Sequence, residues 1–263
     1  MTKQPALFVS HGSPMIVIDN SPARTFLEGL AGRLPAQPDA IVLFSAHHDE
    51  PVVSIAAAAR PETIHDFGGF PAELYAVRYP APGKPELAGR VEELLDEAGI
   101  ANRLDAQRRF DHGAWTPMML AWPNADIPIV QVSINTNQSP DYHYRLGQAL
   151  ASLRDENILL LGSGAMTHNL RAFFRGGFPA SAPVEGWVAD FLGWLDDRLE
   201  AGDTEAALHL LEQAPHGHDN HPTTEHILPL FVALGAGGAA PKATKLHASV
   251  DHGVLAMDAW RFD

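Results

Sequence analysis

Residues 40–48 read AIVLFSAHH. Five of the first six side chains are apolar, with β-branched Ile41 and Val42 among them. A strand wet on one face alternates apolar and polar residues, whereas a run this continuous reads as a strand covered on both faces. Two imidazoles, His47 and His48, follow it directly. The pattern recurs. Ala6–Ser10 (ALFVS) runs into His11, and Ile158–Gly162 (ILLLG) leads through SGAMT to His168. Val52–Ala57 and Ile129–Ser133 (IVQVS) complete five predicted strands.

Helix candidates lie between and after the strands. Ser21–Gly32 opens with a Ser cap and Pro22 at the first helical position, and Ser139–Arg154 again opens with Ser-Pro. Lys84–Ala98 is charged on one side and stops at Gly99. Pro183–Glu200 carries Trp187, Phe191, Trp194 and Leu195 at helical spacing, and His221–Leu234 stops at Gly235. This alternation predicts an α/β fold with a central, mostly parallel or mixed sheet flanked by helices. No Ser/Gly linker or repeat divides residues 1–263, so a single domain is expected. Two possible strands within Lys242–Arg261 are expected to close an edge as a hairpin.

Composition narrows the function. Eighteen Lys+Arg against 32 Asp+Glu give a formal net charge of −14, the wrong sign for a nucleic-acid binder or an anionic-membrane adhesin. The absence of cysteine excludes disulfides, Fe–S clusters, thiolate zinc sites and a Cys nucleophile. The apolar run before Ser10 is only four residues long, too short for a signal-peptide core. No stretch reaches the roughly 18 apolar residues of a membrane span. A cytoplasmic protein is expected, as a monomer or small homo-oligomer, since no coiled coil or apolar arm is evident. No Gly-rich phosphate loop or GxSxG elbow occurs.

Fourteen histidines are many for this length. Imidazole is the commonest metal ligand and the commonest acid/base group near neutral pH. In open α/β sheets the ligand crevice lies at the carboxyl ends of the strands, and three strands deliver an imidazole there: His11, His47 or His48, and His168. Neighbours in extended chain point to opposite sides, so only one of His47 and His48 should face a given metal; His47 is favoured and His48 is expected to pack. In PHGHDNHPTTEHILPL (215–230), Pro222 suits a first helical turn, which places His221 at the cap and His226 inside the helix. On a helix only one of Glu225 and His226 can reach a shared site. His112, in FDHGAW before a helix expected near Thr116, is a candidate for contacting a substrate anion. His65, in IHDFGGFP, marks a loop that either covers an aromatic substrate or is stapled to the core. His252 is expected in an edge strand without function, and His143, His209, His216, His218 and His247 as surface, loop or packing residues.

Two or three imidazoles suit Zn, Fe(II), Cu or Ni. Zinc with one open position activates water for hydrolysis, with Glu225 a possible base, whereas Fe(II) with several open positions takes a bidentate catechol and O2. The residues alone leave both open.

The ordered set SHGSP (10–14), SAHH (45–48), IHDFGGFP (64–71), YPAPG (79–83), FDHGAW (110–115), SGAMTHNL (163–170) and HPTTEHILPL (221–230) spans nearly the whole chain. Together these segments resemble the class III extradiol ring-cleavage dioxygenases, in the branch of 4,5-DOPA extradiol dioxygenases. The resemblance implies a single α/β domain with His11, His47 and His226 as metal ligands. His226 then stands where the wider class often has a carboxylate. It further implies His168 as the acid/base residue and His112 as the substrate contact. Fe(II) is implied for turnover, Zn(II) in a purified or crystallised form, and a small aromatic diol with O2 as substrates.

Overall fold

Strand β2, Ala40–Asp49, lies in the interior of an eight-stranded sheet in the computed structural model, which describes residues 2–263. The other strands are β1 (Ala6–Ser10), β3 (Val53–Ala56), β4 (Asn102–Asp105), β5 (Ile129–Ile134), β6 (Ile158–Gly164), β7 (Ala243–His247), β8 (Val250–Asp251), β9 (Leu255–Ala256) and β10 (Ala259–Phe262). The order is β4-β3-β5-β2-β6-β1-β10-β7, with β8 and β9 forming a separate ribbon. The central strands β5, β2, β6 and β1 are parallel to one another. Antiparallel pairings bring in β3 beside β5 and β10 beside β1. The expected C-terminal pair therefore forms as β7 and β10, but only β7 is the edge.

The continuous apolar runs are explained by cover on both faces. Ala6, Phe8, Val42, Phe44 and Leu160 point into one core, beneath helices Pro85–Glu97, Pro140–Leu150, Gly186–Glu200 and Leu228–Ala236. Leu7, Val9, Ile41, Leu43 and Leu161 point into the other, beneath helices Pro22–Glu28 and His112–Ala121. Each fully buried Leu, Val or Phe contributes roughly 1.5–3 kcal/mol of transfer free energy. Strand β4 escaped the sequence reading because NRLD is polar but for Leu104 and no residue of it is fully buried. It presents no apolar run to recognise.

Three departures from expectation bear on the site. Helix His112–Ala121 starts four residues earlier than Thr116, because the Asp111 carboxylate caps it by accepting from Ala114 N. The segment 221–234 is not one helix. His221 closes the short helix Gly217–Asn220, turns follow, and the long helix begins only at Leu228, with Pro229 rather than Pro222 in its first turn. His226 thus lies in a turn, where the backbone answers to β6 instead: its carbonyl accepts Ala165 N at 2.9 Å. His252 sits in a left-handed turn (φ 54°), not a strand, and its Nδ1 meets Phe178 O at 2.8 Å.

Candidate metal centre

The parallel strands end level with one another: Ser45 of β2 lies beside Ser163 of β6, and Ser10 of β1 beside Gly164. Past Ser45 the register of β2 against β5 breaks. Ser45 pairs with Ser133, but the next pair is Asp49 with Ile134. Residues 46–48 are extra on one side, and such bulges re-aim side chains. They send His47 toward the strand ends and His48 into the interior, where it is 1% exposed with neither ring nitrogen hydrogen-bonded. Burial, then the Arg108 guanidinium, holds His48 neutral with a pKa of about 3.

His11, His47 and His226 converge so that one ligand atom from each lies within 4.8 Å of the others. His11 Nε2 and His47 Nε2 are 3.1 Å apart. Two nitrogens at 2.0–2.1 Å from one ion are separated by about 2.8–3.4 Å at octahedral to tetrahedral angles, so this spacing fits a shared cation. Burial is the main reason that all three imidazoles stay neutral and keep a lone pair. The neighbouring imidazoles add to the effect. His11 and His226 are pushed well below the usual histidine range, and His47 to about 4.

Two of the three rings are turned by their other nitrogen, whereas His47 Nδ1 lies 3.7 Å from Asp66 Oδ2. Pro117 has no N–H to give to Gly113 O, the acceptor one helical turn back. That carbonyl accepts the Ser163 hydroxyl instead, at 2.5 Å. With its proton so committed, Ser163 Oγ accepts from His11 Nδ1 at 3.0 Å, which leaves Nε2 of His11 for a metal. Gly113 is needed here, since a Cβ would fall 2.5 Å from Ser45 Oγ and 3.2 Å from His11 Cε1. His226 Nδ1 donates to Glu225 Oε1 at 3.0 Å. The turn that carries it lies flat on β6 because residue 164 is glycine; a Cβ there would fall 2.0 Å from His226 O. The peptide N–H of His47 donates to Ser45 Oγ, whose hydroxyl donates to buried Asp111 at 2.6 Å, and Asp111 in turn takes Arg108 and Gln131.

Two further imidazoles border the trio. His168 stacks on His226, with ring centroids 3.4 Å apart, and its Nδ1 is 3.6 Å from Glu225 Oε1. Burial lowers the pKa of His168 against the pull of Glu225. The His112 ring stands 3.9 Å from that of His47 and 5.5 Å from that of His11. Asp66 accepts from both His112 N and His112 Nδ1 at 2.9 Å. Burial pushes the Asp66 carboxyl up, but the His112 contacts outweigh it and hold the pKa at about 2. Asp66 with His47 and His112, and Glu225 with His168 and His226, also cluster closely enough to suggest ligation. In both sets, however, the short contacts are hydrogen bonds from ring N–H groups, so the carboxylates serve as acceptors.

A cleft of about 550 Å³ reaches His47 and Glu225 from solvent, between Asp49 and Thr136 on one side and Thr223 and Thr224 on the other. That is ample for a single aromatic ring. On the His112 side, Phe67 stands edge-on to His112 and packs near Phe70, Tyr75 and Trp115.

The five histidines singled out in the sequence therefore meet, although their separation in the chain reaches from 11 to 226. His48, His143, His209, His216, His218, His221, His247 and His252 are not among the clustered ligand groups. His143 and His221 are buried, His143 accepting from Asn135 N and His221 Nε2 meeting Met166 O. The carboxylates and hydroxyls that orient the rings went unseen. Asp66, Asp111 and Ser163 carry no spacing signal, although Asp111 directly precedes a candidate histidine. The base that a hydrolase would need, Glu225, already accepts at Oε1 from Thr223 and His226.

Comparisons with known proteins extend the likeness over the whole chain. Residues 5–256 match the family model described as the catalytic LigB subunit of aromatic ring-opening dioxygenase. A 4,5-DOPA dioxygenase extradiol of Beta vulgaris is 42% identical over 258 residues, covering 97% of this chain and 95% of that protein. One of Escherichia coli (strain K12) is 39% identical over 259 residues, covering 97% and 93%. The crystal structure of an uncharacterized Escherichia coli K12 protein superposes with a TM-score of 0.79 at 33% identity, over 99% of this chain and 100% of that one. A match that runs from β1 to the C-terminal ribbon takes in all the strand ends and turns that carry the clustered imidazoles, and the chain belongs to the family of the catalytic LigB subunit of aromatic ring-opening dioxygenase, as an extradiol ring-opening enzyme.

Proposed function

We propose that the substrate is a small 1,2-dihydroxybenzene, DOPA or a diol close to it, and that His11, His47 and His226 hold Fe(II) for its cleavage by O2. The observation that carries this reading is the meeting of three neutral imidazole nitrogens, flanked by two more imidazoles, beside an open cleft. Relatives named for DOPA support the choice of substituent. Iron held there would supply the Lewis acidity that eases loss of a diol proton and the electrons that let O2 react with the ring.

The rest is the work of the chain. Three neutral ligands bring no anion of their own, so the site favours the diol as a catecholate over the uncharged form. His168, kept neutral by burial, accepts a hydroxyl proton. Both atoms of O2 end in the product, and diol plus O2 balances the neutral ring-opened acid, so the proton that His168 removes is returned as the carbon–carbon bond beside the diol opens; the new carboxyl then releases one proton to solvent at neutral pH. The product is a muconic semialdehyde. His112 contacts the substrate from the opposite flank, and the aromatic wall at Phe67 borders it there. The net charge of −14 disfavours carboxylated diols only at long range, since salt screens it over about 8–10 Å.

The test is anaerobic loading with Fe(II), then exposure to O2 with catechol, DOPA and other substituted diols. O2 consumption with yellow ring-opened products is expected, strongest for the DOPA-type substituent. Absence of both with every diol would sink the reading.

A further inference from the structure

The loop between β3 and helix Pro85–Glu97 contributes one carboxylate that neither the metal set nor the acid/base role employs. Asp66 spends both of its oxygens on a single residue. Oδ1 accepts the backbone N–H of His112, and Oδ2 accepts from His112 Nδ1, each at 2.9 Å. That N–H opens the helix His112–Ala121 and has no partner within it. A planar carboxylate gripping the backbone and the ring of one residue fixes the direction of that ring.

At neutral pH an ionised carboxylate can only accept. Both contacts are therefore N–H donations, and the proton of a neutral His112 ring is on Nδ1, with the lone pair on Nε2. Phe67 packs edge-on 5.7 Å from the ring, and the rings of His47 and His11 adjoin it. The loop does not depend on Asp66 for attachment. Trp115 Nε1 donates to Ile64 O, Ile64 N and Phe110 N bridge the same segment, and Tyr79 OH donates to Trp122 O. Asp66 therefore has a duty beyond stapling.

We infer that Asp66 is a positioning residue: through its two-oxygen grip it sets the orientation and the proton position of His112, so that Nε2 is offered as an acceptor to a hydroxyl of the bound diol. This rests on the reading of His112 as the substrate contact. Asp66 also lies 3.7 Å from His47 Nδ1, a longer approach that makes its influence on the metal ligand the weaker one.

The proposal is tested on the full chain, labelled with ¹⁵N-histidine and loaded with Zn(II), by long-range ¹H–¹⁵N correlation. In the wild type the His112 ring is expected to be protonated at Nδ1. In Asp66→Asn one acceptor and one donor replace two acceptors. The backbone N–H cannot adapt, so the amide nitrogen faces the ring and the proton moves to Nε2. With Fe(II) and a small catechol, kcat should fall about 10–100-fold with little change in KM, while Zn(II) affinity in a chelator competition stays close to wild type. A proton found on Nε2 in the wild type overturns the proposal without any variant. So does an unmoved proton in Asp66→Asn, or an unaltered kcat once the proton has moved. If the wild type cleaves no catechol the dioxygenase reading fails, yet the proton position still decides for or against the role of Asp66.

Discussion

Asp66 and Glu225 flank the imidazole cluster from opposite sides, and each lies near two of its rings. Asp66 reaches 46 residues along the chain to clamp His112 with both oxygens, one on the backbone and one on the ring. Among the rings Glu225 hydrogen-bonds only that of its neighbour, His226, and it gathers its short contacts on a single oxygen. Oε1 accepts from Thr223 Oγ1 at 2.9 Å and from His226 Nδ1 at 3.0 Å, with His168 Nδ1 3.6 Å away. The two side chains are similarly exposed, at 23% and 25%, so burial does not distinguish them. Geometry does. A two-oxygen clamp cannot be copied by an amide, whereas a one-oxygen acceptor can.

The largest effect should come from the ring that Glu225 approaches but does not hold. His168→Ala removes the proposed proton acceptor and should cost about 10²–10⁴-fold in kcat. Metal binding should survive, because His168 is outside the proposed ligand trio and His11 and His226 keep their Nδ1 partners. Steady-state kinetics with elemental analysis of the same sample checks both halves. Retained turnover would move the proton transfer to the Asp66–His112 side. Glu225 comes next. Glu225→Ala leaves His226 Nδ1 without its acceptor and should weaken metal affinity about 10–100-fold. Glu225→Gln keeps an acceptor oxygen and should bind metal almost as the wild type does, as chelator competition would show. Equal losses for Ala and Gln would mean that the negative charge matters more than the contact, and the contrast with Asp66 would vanish.

How much of this was legible in the sequence follows from where each residue sits. The strands were readable because cover on both faces leaves an unbroken apolar run, as in AIVLFS and ILLLG. The histidines at their ends were readable because a parallel sheet gathers its strand ends on one side. What escaped was set by tertiary contact. Pro222 and Pro229 are equally good first-turn residues, and the choice between them is made by the His226 carbonyl bonding to Ala165 N against a glycine-lined strand. The bulge after Ser45 depends on a neighbouring strand 84 residues further on in the chain, at Ile129. Asp66 is one acidic residue in a polar loop until the fold brings His112 to it. The five histidines that cluster could be found in the sequence, then, while the hydrogen bonds that aim them could not.

The gentlest test concerns the third imidazole of the proposed ligand trio, His11, which no carboxylate attends. Its orientation is relayed from Pro117 through Gly113 O and Ser163 Oγ. Pro117→Ala restores an N–H one turn along from Gly113, and that donor competes with Ser163 for the carbonyl. An intramolecular hydrogen bond is worth about 0.5–1.5 kcal/mol net, so metal affinity should fall by roughly 2–10-fold. The helix gains a bond and loses its proline, so thermal stability without metal should rise. Opposite signs for affinity and stability would identify a proline kept in a helix interior to free one carbonyl. If both rise together, the hydroxyl relay is dispensable, and charged acceptors such as Asp66 and Glu225 are the only ones that must be correctly placed.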